Sequence, residues 1–143
     1  VKTSNPSSGA LQDMKLETNE SVYEHMGKMC EGWGEDLMGK HGYSAVGAVV
    51  GATYPEQLGE MRAKLPHTFF LVPGYGAQGG GADDVKNAFD ENGLGAIINS
   101  SRGIMCAWKK QGLTEDDFAV AARKEAERMR DEIVGCIGKI KLD

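Results

Sequence analysis

A guanidinium, a carboxamide and a set of hydroxyls are the groups of this sequence best suited to hold a small anionic ligand that carries a polar ring. Arg102 follows Asn99, Ser100 and Ser101 and precedes Gly103. Gln78 sits alone among the glycines of PGYGAQGGG, and Ser4 lies between Thr3 and Asn5. An arginine beside glycine amides can grip a phosphate with two parallel hydrogen bonds, and backbone N–H groups opening a helix add donors. Hydroxyls and amides can read the polar edge of a ring. No histidine, cysteine or carboxylate accompanies these groups, so they offer binding without an obvious general base or nucleophile. Each also has a plainer use. Arg102 can pair with a carboxylate or cap a strand, the glycine run can be a simple connection, and serines at such places often bond the local backbone.

These residues share one end of a fold if the chain alternates strands and helices. Val1 to Ser4 read as the end of a strand. Ser21 and Glu24 form a capping box for a helix whose apolar stripe is Val22, Met26, Met29, Cys30, Trp33 and Leu37, with Gly42 as its C-terminal cap. AVGAVVGAT is a second strand, buried on both faces. Thr53 and Glu56 form another capping box, with Pro55 in the first turn and Leu58, Met61 and Leu65 inward. HTFFLVPG is a third strand ended by Pro73, and Val85, Ala88 and Phe89 mark a short helix after the glycines. LGAIINSSRG is the fourth strand. Thr114 and Asp117 then cap a long amphipathic helix carrying Phe118, Ala122, Met129, Ile133 and Ile137.

Strands alternating with helices imply parallel pairing through right-handed crossovers. The pattern fits an open doubly wound sheet or half of an eight-stranded barrel. In either, ligands sit at the carboxyl ends of the strands, where Ser4, Thr53, Gln78 and Arg102 fall. Gly74, Gly76 and Gly79 also meet the G-x-G-x-x-G pattern of dinucleotide-binding folds. Here, however, the glycines continue past the motif and no acidic residue closes a following strand.

Composition narrows the classes. The chain has 143 residues, 41% hydrophobic and 26% charged, as expected of one globular segment with a real core. A net charge of −5 argues against a general nucleic-acid or anionic-membrane binder, and no apolar run approaches a membrane span. Cys30, Cys106 and Cys136 form no C-x-x-C pair and read as reduced thiols of a cytoplasmic protein, two of them on apolar helix faces. His25, His41 and His67 have no metal-ligand spacing, and Trp33 and Trp108 read as packing residues.

TSNPSSG, VVGATYP, FLVPGYGAQGG and IINSSRGI, in that order and spacing, resemble the C-terminal part of the orotidine 5′-phosphate decarboxylase family, most closely its longer bacterial branch. The resemblance covers nearly the whole chain. It implies a (β/α)8 barrel, of which this chain supplies the last four β/α units as a single segment, residues 1–143. It implies that Ser4 and Pro73 lie against the pyrimidine, and that Gln78 and Arg102, with amides around Gly79 and Gly103, hold the 5′-phosphate of orotidine monophosphate. The loop after the third strand would close over the nucleotide. The reaction would need no metal or organic cofactor. The family's D-x-K-x-x-D motif is absent. Asp13 with Lys15, and Asp84 and Lys86 with Asp90, imitate it in the wrong spacing and place, so the resemblance assigns this chain no catalytic residue. Four strands cut from a barrel leave open edges and an apolar inner face. The chain is therefore expected to form a homodimer or to pair with the other half of the barrel, and to be inactive alone. The alternatives left by the residues themselves are a phosphate-binding half-barrel without catalysis and a dinucleotide-binding α/β domain.

Overall fold

The computed structural model describes residues 1–76 and 80–141. Its centre is a parallel sheet of β1 (Gly47–Val49), β2 (Phe69–Pro73) and β3 (Ala96–Asn99), in the order β1-β2-β3. The first of the four expected strands is present only as a single parallel bridge between Lys2 and Val50. Asn5 leads directly from it into a 3-10 turn at Pro6–Ser8.

Around the sheet lie α1 (Gly9–Gln12), α2 (Val22–Trp33), α3 (Pro55–Lys64), α4 (Ala82–Val85), α5 (Ser101–Met105), α6 (Ala107–Lys110) and α7 (Phe118–Ile137). Tyr23 and Cys30 of α2, Leu58 and Met61 of α3, and Met129 and Ile133 of α7 form one core with Ala48, Val50, Phe70 and Val72 of the sheet. Alternation along a strand sends the next residues to the opposite face. There Val49, Leu71 and Ile97 are paired in register across the three strands and are 38%, 41% and 58% exposed. The strands are thus buried on one face, not on both as their continuous apolar runs suggest, because the helices cover one side only.

Several local expectations change for identifiable reasons. The Ser21–Glu24 capping box forms as expected. The buried side of α2, however, is Tyr23, Gly27 and Cys30, while Met26, Met29, Trp33 and Leu37 face outward. Gly27 sets that face: a methyl group there would collide with the Met61 and Leu65 side chains, so α2 lies against α3 where its side chain is smallest. The helix ends at Gly34, and Gly42, at φ +79, closes a turn instead of capping it. Tyr54 is the N-cap of α3 with no side-chain cap bond. The Thr53 hydroxyl donates to the Ser4 carbonyl at 3.3 Å instead of capping with Glu56. The Thr114–Asp117 box caps a 3-10 turn leading into α7, whose inward residues begin at Ala121, with Phe118 exposed. Of the cysteines, all free thiols, Cys30 alone is buried and Cys136 is exposed. No helix among the described residues is long and apolar enough to cross a membrane.

Candidate functional site

The carboxyl ends of the strands converge because side chains are missing where they meet. A methyl group on Gly51 would stand 2.7 Å from the Ser4 nitrogen and 2.9 Å from its Cα, so only glycine lets the end of β1 approach the first strand position this closely. Gly80 lies against Ala52 in the same way, a methyl there falling 3.0 Å from the Ala52 Cβ. Gly74 and Gly76 have φ of 101 and 76 degrees, a left-handed backbone that favours glycine. They turn the chain out of β2 on either side of Tyr75. The stem of this loop is held by the Gly76 N–H donating to the Gly80 carbonyl at 2.7 Å.

Beneath these turns is a cavity of about 160 Å³ lined by Ser4, Pro73, Gly74, Tyr75, Asn99, Ser100, Ser101 and Arg102. Three of the residues given binding roles from the sequence, Ser4, Pro73 and Arg102, therefore line one cavity. Ser4 is nearly buried, whereas Arg102 is exposed and its side chain makes no hydrogen bond or ion pair among the described residues. Its guanidinium is not occupied in strand capping or in carboxylate pairing, the two plainer roles open to it. Gly103 sits behind Arg102 and is buried against Ser100. Gln78 and Gly79 lie outside the described residues.

Ser100, one of the hydroxyls expected at the rim, and Tyr75, which the sequence did not single out, give the cavity its shape. Ser100, 5% exposed, donates its hydroxyl to the Tyr75 carbonyl at 2.8 Å, tying the end of β3 to the turn after β2. The Tyr75 ring is buried, and its phenol donates to Glu132 of α7 at 2.6 Å. Burial, and then the neighbouring Glu132 carboxylate, push the phenol up to about 12. The Tyr75 phenol and the Arg128 guanidinium in turn hold Glu132 below the ordinary carboxylate range. Tyrosine between two glycines was the available signal, since a buried ring carries a phenol that needs a partner.

The carboxylate–lysine imitations fall away from the cavity. Asp13 pairs with Lys2 at 2.6 Å, Lys15 lies 3.6 Å from Glu24, and Lys86 bonds Asp83 at 3.0 Å. Lys2 was not anticipated. It is 1% exposed, and its ammonium lies 4.7 Å from the centre of the Tyr54 ring. It fastens the first strand position to α1 instead of facing the ligand cavity. The dinucleotide reading also loses support, because the glycine run opens a helix of only four residues, Ala82–Val85, and not the long helix whose N-terminus holds a pyrophosphate.

Fold and cavity together define a parallel α/β protein built as part of a barrel, with an anion-competent pocket at the carboxyl ends of its strands. The chain is 44% identical over 139 residues to orotidine 5′-phosphate decarboxylase of Rhodopirellula baltica, with 94% of this chain and 46% of that protein aligned. It is also 44% identical over 137 residues to the Clostridium tetani enzyme of the same name, covering 96% and 47%. Among solved structures, Leishmania donovani OMP decarboxylase superposes with a TM-score of 0.63 at 30% identity, covering 92% of this chain and 46% of that one. No protein-family model matches. The chain belongs to the orotidine 5′-phosphate decarboxylase family and spans about half the length of the curated relatives it matches.

Proposed function

We propose that this chain is the nucleotide-holding part of an orotidine 5′-phosphate decarboxylase, which converts orotidine 5′-monophosphate to uridine 5′-monophosphate and CO2 in pyrimidine biosynthesis in the cytoplasm. The observation that carries the reading is the meeting of Ser4, Pro73 and an unpaired Arg102 in one cavity at the strand ends. Arg102 takes the 5′-phosphate, with Gln78 and the amides around Gly79 and Gly103, while Ser4 and Pro73 bound the pyrimidine. Loss of CO2 leaves an electron pair on the ring carbon, and a cation fixed beside that carbon lowers the barrier by electrostatic stabilisation. Among the described residues the only cation lining this cavity is Arg102, which serves the phosphate, so the group that stabilises the carbanion and reprotonates it comes from elsewhere in the complete enzyme. The grip on the distant phosphate supplies binding energy that the reacting centre uses.

The exposed row of Val49, Leu71 and Ile97 fits the same reading. In a closed barrel such residues fill the interior, so the face is covered by the remaining strands, and the assembled enzyme is a homodimer.

Calorimetric titration with uridine monophosphate, uridine and NAD tests the proposal. The monophosphate binds and NAD does not. Arg102→Ala weakens the monophosphate by roughly 10- to 100-fold, the scale of losing charge-assisted hydrogen bonds, and leaves uridine within about twofold. Equal losses for nucleotide and nucleoside would remove Arg102 from the phosphate role.

A further inference from the structure

Tyr75 ties together the turn after β2, the end of β3 and α7. Its ring is 3% exposed, its phenol donates to Glu132 at 2.6 Å, and its carbonyl accepts the Ser100 hydroxyl at 2.8 Å. Ser100 in turn starts the segment that carries the cation, since its own carbonyl accepts the Ile104 N–H of α5 at 2.9 Å. Glu132 is aimed by its own helix. Arg128, one turn earlier on α7, bonds both Glu132 and Glu125, the latter at 2.7 Å. A continuous chain of polar contacts therefore runs from α7 through Glu132, Tyr75 and Ser100 to the first turn of α5, where Arg102 stands.

The glycines on either side make this chain consequential. Gly74 and Gly76 both hold left-handed backbone, and neither has a side chain to fix the turn. The position of the Tyr75 backbone is therefore set by its own buried ring and phenol together with the bond from Gly76 to Gly80. A shift of that backbone moves the carbonyl to which Ser100 is tied, and with it the register of α5.

We propose that Tyr75 and Glu132 are a positioning pair for the phosphate end of the nucleotide site. Neither side chain touches the ligand, and the pair acts by fixing Ser100 and through it Arg102. The inference rests on the nucleotide reading of the cavity and adds to it a determinant on α7, outside the cavity wall. Its signature is selective: phosphate binding should suffer while recognition of the ring, through Ser4 and Pro73, should not.

The test uses the full polypeptide that carries these residues and titrates uridine monophosphate and uridine in parallel. Tyr75→Phe keeps the ring and removes the hydroxyl. It should weaken the monophosphate roughly five- to tenfold, the scale of one hydrogen bond to a charged group transmitted in part, with uridine unchanged. Glu132→Ala should do the same, and the double variant should be no worse than either single one, because both break one contact. Glu132→Gln should recover most of the affinity, since its amide oxygen still accepts from the phenol. The inference is overturned if Tyr75→Phe leaves monophosphate affinity unchanged, or if Glu132→Gln is as poor as Glu132→Ala. Equal loss of uridine and monophosphate binding together with a lower Tm would also overturn it, by showing a merely structural tie. If the unaltered protein binds no monophosphate at all, the nucleotide reading itself falls, which is a different result from an unaltered protein that binds and variants that bind equally well.

Discussion

Gly103 offers the sharpest test of how the cavity is built. A methyl group there would press into the Ser100 hydroxyl, far inside van der Waals contact, and would stand 3.4 Å from the Ser100 Cβ. Ser100 can escape only by turning its hydroxyl off the Tyr75 carbonyl, which it reaches at 2.8 Å in a site 5% exposed. Losing that bond and leaving the buried partner unsatisfied costs about 1–3 kcal/mol. The gain in helix propensity from glycine to alanine returns at most about 1 kcal/mol. Gly103→Ala should therefore destabilise by about 1–2 kcal/mol. Ser100→Ala alone should cost a similar amount for the same lost bond. In the double variant the obstructing oxygen is gone and the two methyl groups face each other at a tight but tolerable distance. The pair should then cost no more than Ser100→Ala alone, where additivity would give about 2–4 kcal/mol. Urea unfolding with unchanged m-values measures all three. Additivity within about 0.5 kcal/mol, the usual figure for independent sites, would refute the claim that Gly103 is glycine because of Ser100.

Other expectations follow from contacts elsewhere. Bonds from Lys64, and then from the Ser21 hydroxyl and N–H, depress Glu24 to about 2. Its contribution is therefore fully present above the ordinary carboxylate range near 4.5 and is lost as the pH falls through about 2. Glu24→Gln should flatten that part of the acid-unfolding curve at a cost of about 1 kcal/mol at neutral pH, allowing for solvent screening of an exposed pair. Arg62 donates to the carbonyls of Leu65, Thr68 and Gly95 and lies 4.2 Å from the centre of the Phe70 ring. Arg62→Ala should destabilise by about 2–4 kcal/mol by thermal or urea unfolding, with Arg62→Lys recovering little because an ammonium cannot span three acceptors. Sedimentation of the 143-residue chain should show self-association through the Val49–Leu71–Ile97 face, reduced by Leu71→Lys; a compact monomer would contradict it.

Much of this was legible before the structure, for reasons that are themselves local. Ser21 with Glu24 and Thr114 with Asp117 are reciprocal bonds within one turn, so four residues suffice to announce them. Pro73 ends β2 because proline carries no donor, and glycine, serine and arginine at strand ends point to the rim wherever the sheet is parallel. What could not be read depends on partners far along the chain. Thr53 with Glu56 has the spacing of a capping box, yet the Thr53 hydroxyl bonds Ser4, 49 positions away. The α2 stripe was misread because the helix packs by its smallest residue, Gly27, which no count of apolar positions would choose. Lys2 has the composition of a surface residue, and only the meeting of α1 with the loop after β1 surrounds it with Asp13 and Tyr54. Tyr75 and Glu132 are 57 residues apart, and nothing in either neighbourhood announces the other.

The site owes its form as much to absent side chains as to present ones. Gly51 lets Ser4 close on β1, Gly80 lets the loop stem lie on Ala52, and Gly103 leaves Ser100 free to hold Tyr75. Each removes a methyl group that would hold neighbouring strand ends apart. Together they allow groups from the ends of three chain segments, Ser4, Pro73 and Arg102, to face one cavity of about 160 Å³. Arg102 is then the variable member, exposed and without a side-chain partner among the described residues in the first turn of a short helix, and its placement has to come from its neighbours. Ser100 and Gly103 supply it from within the helix, and Tyr75 supplies it from across the sheet. A substitution at any of these glycines should therefore impair ligand binding without removing a side chain from the site, and the loss at Gly103 should fall on the phosphate, because that is the end Arg102 serves.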